Sequence, residues 1–139
     1  MVESRSGDIA SDAILKRLSE LRRALLRLHK ALLDTERDAY EQAHGPVSSG
    51  ELLQLVISHE QFAWLRSVSE LIVRIDEMLD TDEPLTTGET ESLLAQARSL
   101  LKPSETGSEF ARKYFAAFQR APDAVLAHRE AMLILSVGA

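Results

Sequence analysis

The chain contains no cysteine among its 139 residues. This absence excludes disulfide bonds, thiolate nucleophiles and cysteine-ligated metal sites, and it is typical of proteins from a reducing cytoplasm. The sequence also lacks an apolar run long enough to cross a membrane, and its first ten residues lack a signal peptide's hydrophobic segment. We therefore predict a cytoplasmic protein with no membrane partner.

No stretch shows the apolar and polar alternation of a β-strand, and there is no internal repeat. With 45% hydrophobic and 27% charged residues, the composition is that of an ordinary globular domain. These features predict an all-α protein, namely a four-helix bundle with additional short helical segments at residues 49–57 and 122–135. Residues 12–139 are expected to form this single domain, after a mobile N-terminal segment over residues 1–11.

The first long helix is predicted from Asp12 to His44, where Gly45 and Pro46 stop it. Apolar or small side chains recur on it at intervals of three and four residues, which places them on one stripe. They are Ile14, Leu18, Leu21, Leu25, Leu28, Leu32, Thr35 and Ala39. A weaker apolar line, Leu26, Leu33 and Tyr40, runs beside a polar line made of Arg22, His29 and Glu36.

The central helix is predicted over residues 58–79, which hold the only tryptophan, Trp64. Its main stripe contains Leu65, Val68, Ile72, Ile75 and Leu79. Capping-box patterns with a Ser or Thr followed three residues later by Glu or Gln begin at Ser48, Ser58 and Thr86. Each of them predicts a helix start, and the one at Ser58 predicts a kink or a new helix.

Later helices are predicted before Pro103, around an aromatic group, and from Pro122. The aromatic group comprises Phe110, Tyr114, Phe115 and Phe118. The last helix is expected to place Val125, His128, Met132 and Leu135 on one face.

A metal site inside the bundle is one interpretation of the four histidines, since helical bundles can bind metal through inward-facing Glu and His side chains. The required pairs of Glu-x-x-His motifs are missing, because only Glu41 and His44 match. His29, Glu36 and His128 are the candidate ligands for a small molecule or metal in this alternative. The simpler interpretation is that these histidines have structural roles, and no cofactor is predicted.

Catalytic motifs are lacking: there is no nucleophile elbow, no phosphate-binding loop and no His-Glu-x-x-His zinc motif. The sequence around His59 and Glu60 departs from that zinc motif because Phe62 and Ala63 follow. We therefore predict a noncatalytic protein.

The charge is unevenly distributed along a chain whose net charge is -6. Residues 16–30 contain six basic side chains and one acidic side chain, Glu20. Such a segment can attract an acidic partner, anionic lipid or RNA. No aromatic residue is interleaved with the basic ones to stack on bases, so the sequence favours a solvated helix face over nucleic-acid binding.

The chain has more apolar side chains than a single core can bury, which predicts a surface for another subunit. The interface candidates are Leu26, Leu33, Tyr40, Phe110 and Tyr114. We expect a homodimer that binds a protein partner through a helix face.

The run HGPVSSGELLQLVISHEQFAWLRSVSELIVRIDEML, with LHKALLDTERDAYE before it and FARKYFAAFQRAPDAVLAHRE after it, resembles a family of small uncharacterised bacterial helical proteins. Members of that family often carry Asp-Pro-Trp-Phe-Ala-Trp-Leu near the kink and a proline at the position of Val68. This chain has His59, Glu60 and Gln61 there and keeps Val68. The resemblance implies an all-helical bacterial cytosolic protein and no assigned activity or catalytic residues.

Overall fold

The computed structural model describes residues 7–136. Within this range the chain forms six α-helices and one 3₁₀ helix, and it has no β-strand, so the all-α prediction is confirmed. In chain order the elements are α1 (Asp12–His44), α2 (Ser49–Ser58), the 3₁₀ segment (Glu60–Leu65), α3 (Arg66–Leu79), α4 (Thr87–Leu100), α5 (Glu109–Phe118) and α6 (Pro122–Ser136). None of the helices found between residues 7 and 136 combines the length and the apolar character that crossing a bilayer requires.

Two of the three predicted capping boxes are present. The Ser48 hydroxyl accepts the N–H of Glu51, whose carboxyl group accepts the N–H of Ser48, both at 3.1 Å. Thr86 and Glu89 are bonded in the same way at the start of α4. These reciprocal bonds satisfy backbone donors that have no partner inside a helix, which is why α2 and α4 begin there.

The capping box predicted at Ser58 is wrong. Ser58 is the last residue of α2, and its hydroxyl donates back to the Gln54 carbonyl at 2.8 Å. The cap is instead His59, whose Nδ1 accepts the N–H of Gln61 at 3.0 Å. The predicted central helix over residues 58–79 is consequently divided into the 3₁₀ segment and α3.

The leucine stripe of α1 forms the centre of the core. Leu18, Leu21, Leu25, Leu28 and Leu32 are completely buried, as their spacing predicts. The flanking members Ile14, Thr35 and Ala39 are half-buried, because the stripe leaves the core near both helix ends. Gly45, with a φ of 90°, ends the helix in a conformation that side-chain-bearing residues rarely adopt.

Most of the apolar stripe of the central segment is buried, and α3 packs on α1. Leu65, Val68, Ile72 and Ile75 are buried, whereas Leu79 lies at the exposed end of α3. An ion pair between Arg22 and Asp76 joins the two helices beside this contact. The polar line of α1 is therefore partly enclosed next to α3.

The helix α6 has a larger role than the additional short segment predicted at residues 122–135. It packs on α1 more extensively than any other element does. Its buried face is also different from the predicted face, since Val125, His128 and Met132 are only half-buried. The buried residues are Ala124, Ala127, Ala131 and Leu135. Small alanine side chains let the backbones of α6 and α1 approach closely, and the larger residues consequently lie at the edges of the contact.

Residues 8–11, which belong to the N-terminal segment predicted to be mobile over residues 1–11, form hydrogen bonds with the rest of the chain. The Ala10 N–H donates to the Leu85 carbonyl at 2.8 Å, and the Thr87 N–H donates to the Asp8 carbonyl at 2.7 Å. Ser11 caps α1 by accepting the N–H of Ile14. Residues 1–6, and residues 137–139 of the predicted domain, lie outside the described range.

Replacing Leu28 by Ala is expected to lower the free energy of unfolding by about 3 kcal/mol, because it leaves a cavity in the core. Leu26 is the matched control on the same helix, since 40% of its surface is exposed. Leu26→Ala should cost about 0.5 kcal/mol or less. Urea denaturation measures both changes, and similar losses for the two variants would contradict the position of the stripe.

Candidate functional site

A buried carboxyl group lies at the junction of α1 and the 3₁₀ segment. The Glu36 side chain is only 8% exposed. Its Oε2 accepts the indole N–H of Trp64 at 2.6 Å, and its Oε1 accepts a hydrogen from the Gln61 amide at 3.1 Å. The Gln61 amide also donates to the Glu36 backbone carbonyl at 3.2 Å. Both carboxyl oxygens are thus occupied by donors from the same chain, which gives Glu36 a structural role.

The spacing of Gln61 and Trp64 explains why both reach Glu36. A 3₁₀ helix has three residues per turn, so side chains three apart lie on the same side of it. Both residues belong to the 3₁₀ segment, which lies against α1. A sequence signal for this pair existed, because a buried tryptophan needs an acceptor and Glu36 lies on the enclosed polar line.

His128 is paired with Tyr114 on the other side of the core. The Tyr114 hydroxyl lies 2.7 Å from His128 Nδ1, and the two rings meet edge to face. Burial raises the pKa of Tyr114, so its hydroxyl keeps its proton and donates. Burial also lowers the pKa of His128, which keeps Nδ1 available as the acceptor.

The predicted metal-ligand set is not brought together. Glu36 bonds to Trp64 and Gln61, His128 bonds to Tyr114, and half-buried His29 has a pKa that burial lowers. Among residues 7–136 there is no group of three or more His, Asp or Glu side chains that could hold a metal ion. Glu36 therefore faces the 3₁₀ segment and His128 faces α5, and the two do not form one ligand group with His29.

Two further histidines surround Tyr40. The rings of Tyr40 and His44 stack at a centroid distance of 4.2 Å, and the His59 ring meets the Tyr40 ring edge-on at 5.5 Å. Since His59 Nδ1 accepts the N–H of Gln61, this cluster adjoins the bonds around Glu36. Its contacts strengthen the attachment of the 3₁₀ segment to the end of α1.

The predicted interface residues do not form one surface. Phe110 and Tyr114 are buried in the core, where their rings pack on each other and on neighbouring aromatic rings. Leu33 and Tyr40 are half-buried against the core, and only Leu26 is exposed. The seven-residue spacing correctly placed Leu26, Leu33 and Tyr40 on one line, but most of that line is covered by the chain itself.

The basic segment is largely engaged within the chain. Arg17 donates to the carbonyls of Ile134 and Leu135, both at 2.9 Å. The other partners are Asp76 for Arg22, Glu130 for Arg27 and Asp34 for Lys30. Four of the six basic side chains therefore have partners inside the chain.

The helix α2 is apolar and yet has no buried residue. Five of its ten residues are aliphatic: Leu52, Leu53, Leu55, Val56 and Ile57. Leu53 and Ile57, one turn apart, are 58% and 56% exposed, whereas the other three are half-covered by the core. Sequence reasoning placed this helix inside the protein, because continuous apolar character normally indicates burial on all sides.

Hydrogen bonds fix the position of α2 at both ends. Before its first turn, Val47 is held by the Glu41 carboxyl group at 2.8 Å and by the Arg37 guanidinium at 3.0 Å. At its last turn, the Arg66 guanidinium donates to the Ile57 carbonyl at 2.6 Å. The exposed apolar face is consequently attached to the body of the protein in a defined position.

A groove runs between α3 and α4. It has a volume of about 540 Å³, and Leu71, Val73 and Leu100 form its apolar part. A hydrogen bond from Arg74 to the Gln96 side chain crosses between the two helices beside it.

Comparisons of the chain with protein-family models, with curated proteins and with solved structures find no match. The resemblance to a bacterial helical family therefore stays a prediction.

Replacing Glu36 by Gln is expected to lower the free energy of unfolding by about 1–3 kcal/mol, because the new amide points an N–H at a buried donor. Gln61 can turn its own amide to compensate only by losing its bond to the Glu36 carbonyl. Asp38→Asn is the control, since Asp38 is exposed on the same helix. Chemical denaturation followed by Trp64 fluorescence measures both variants, and equal stability of E36Q and D38N would contradict this role.

Stability is expected to fall as the pH decreases from about 7.5 to 5, because His29 and His128 have folded-state pKa values lowered by burial. The folded state binds fewer protons than the unfolded state, so the stabilisation is complete above the unfolded pKa of about 6.5 and is lost below it. Denaturation at several pH values should show a flatter profile for His29→Gln/His128→Gln. Gln42→Ala, which changes an exposed residue without a titratable group, should keep the wild-type slope.

Proposed function

We propose that this chain is a noncatalytic helical interaction protein, homodimeric, that binds a protein partner through the exposed face of α2. The observation that carries this proposal is the exposure of Leu53 and Ile57 on a helix that is held at both ends. Exposed aliphatic side chains on an ordered helix cost free energy in water, and covering them recovers it. We therefore assign the proposed interface to α2 and not to Phe110 and Tyr114, which are buried.

The chemistry of α2 favours a protein over a lipid or nucleic-acid partner. Helices that lie on membranes are rich in Lys and Arg, whereas the only charged residue of α2 is Glu51. The net charge of -6 also opposes approach to anionic lipids and to phosphates. An uncharged aliphatic face matches an apolar protein surface.

The partner that we propose is an amphipathic helix with an aliphatic stripe and few charges on that stripe. Leu53 and Ile57 are four residues apart, which is the spacing that packs against a second helix. Binding of this kind fits helix-in-groove recognition, in which a few apolar anchors supply most of the affinity.

The scaffold that we propose is the four-helix bundle expected from the sequence, with α6 in a central position beside α1. A bacterial cytoplasmic location is part of the same proposal, supported by the cysteine-free composition and by the resemblance described above. We propose no metal-binding function, because His29, Glu36 and His128 do not form a ligand group within residues 7–136.

Replacing Leu53 and Ile57 together by Glu should abolish capture of the partner, because charged side chains would be buried on binding. The experiment places a photoreactive amino acid at Gln54, which is exposed between them, and crosslinks in an extract of the source organism. The expected result is one dominant protein adduct, with the crosslinked site in an amphipathic helix, that disappears in L53E/I57E.

The matched control is Leu126→Glu/Leu133→Glu, which changes two equally exposed leucines on α6. It should keep the adduct. Loss of the adduct in both double variants, or flotation of the protein with anionic lipid vesicles that L53E/I57E prevents, would contradict a protein partner at α2.

A further inference from the structure

The outer face of α3 carries a regular arrangement of charges. Arg66, Glu70, Val73, Arg74 and Glu77 are all exposed, and Val73 retains 52% of its surface. At about 100° per residue, these five side chains fall within a stripe about 100° wide. The charges along it alternate as positive, negative, positive and negative, with the valine near the middle. We call these five residues the α3 stripe.

The charges of the α3 stripe have few partners within the chain. Of the ion pairs that form among residues 7–136, none includes Arg66, Glu70, Arg74 or Glu77. The two arginines make hydrogen bonds to neutral groups, the Ile57 carbonyl and the Gln96 side chain. The acidic groups of the stripe consequently remain available to an outside cation.

We propose that two copies of this chain associate by antiparallel packing of their α3 stripes around a two-fold axis. An interface on a two-fold axis brings the same patch of both subunits together, so the patch must be complementary to itself after reversal. Arg66 then faces Glu77 of the second copy, and Glu70 faces Arg74 of the second copy. The midpoint of each pair along α3 lies close to Ile72. A single two-fold axis at that level therefore brings both pairs into contact.

The arrangement gives four ion pairs, because each of the two pairs occurs twice. It also brings Val73 close to the axis, where it meets its counterpart and loses its exposure to water. The stripe has two basic and two acidic residues and thus no net charge, so it offers a place where two chains of net charge -6 can meet. Complementary charges of this kind fix the register of an interface and exclude wrong partners.

The surrounding surface enlarges the contact. A standard interface buries roughly 800 Å² on each partner, whereas α3 is only about 21 Å long. The groove between α3 and α4 borders the stripe along Val73 and Arg74. This groove extends the apolar area beside the charged pairs.

This inference deepens the proposed function and rests on its homodimeric part, while the α2 face stays a separate surface. The test uses two complementary charge variants. In Glu70→Arg/Glu77→Arg all four charges of the stripe are positive, and in Arg66→Glu/Arg74→Glu all four are negative. Sedimentation equilibrium is measured for each variant, for the wild type and for an equimolar mixture.

The wild type is expected to be dimeric at about 100 µM, and each variant should dissociate at least tenfold more readily because like charges then face each other. Mixing the two variants should restore a dimer that contains one copy of each. The reversal of all four charges in one chain, R66E/E70R/R74E/E77R, should form a homodimer, which covers the case in which one double variant fails to fold. Glu83→Arg/Glu105→Arg, on exposed residues elsewhere, is the control and should remain dimeric.

A monomeric wild type, dimeric double variants, or a mixture without heterodimer would each overturn the α3 interface. The two proposals fail separately. Loss of the dimer with retained crosslinking at Gln54 contradicts the α3 interface alone. Loss of crosslinking in wild-type protein that still dimerises through the stripe contradicts the partner site on α2 alone.

Discussion

The hydrogen bonds around Glu36 fix the junction on which the rest of the structure depends. The indole of Trp64 and the amide of Gln61 both reach this buried carboxyl group on α1. Charged or polar groups are buried only at a high cost unless they are paired, so the three side chains specify one position of the 3₁₀ segment. The directions of α2 before it and α3 after it follow from that position.

The same constraint explains why α2 stays at the surface. The chain leaves α1 at Gly45, forms α2, and must return to the end of α1 at Gln61. The turn before α2 and the last turn of α2 are held by Arg37, Glu41 and Arg66, so the helix cannot swing inward to bury Leu53 and Ile57. Because the α2 backbone is already held in place, binding at the proposed α2 site would need little further ordering of the chain.

The α2 face and the α3 stripe differ in their chemistry. The first is aliphatic and almost uncharged, which suits a partner recognised by its apolar shape. The second combines one exposed valine with alternating charges, which suits recognition of an identical copy in one register. Arg66 connects the two surfaces, since it bonds to the last turn of α2 and belongs to the stripe. Because the two surfaces are separate, the proposed dimer would present two copies of the proposed partner site.

Local sequence patterns determined the helices, because periodicity and capping act within a few residues. The leucine stripe of α1, the limits of α1 and the boxes at Ser48 and Thr86 were all predictable in this way. Only the tertiary structure decided which residues face each other across the core. The pairing of Glu36 with Trp64, the pairing of Tyr114 with His128 and the packing of α6 on α1 all depend on contacts between distant parts of the chain. Such contacts leave no periodic trace in one sequence, since small alanines pack as tightly as larger residues and a buried polar side chain indicates the need for a partner without specifying which one.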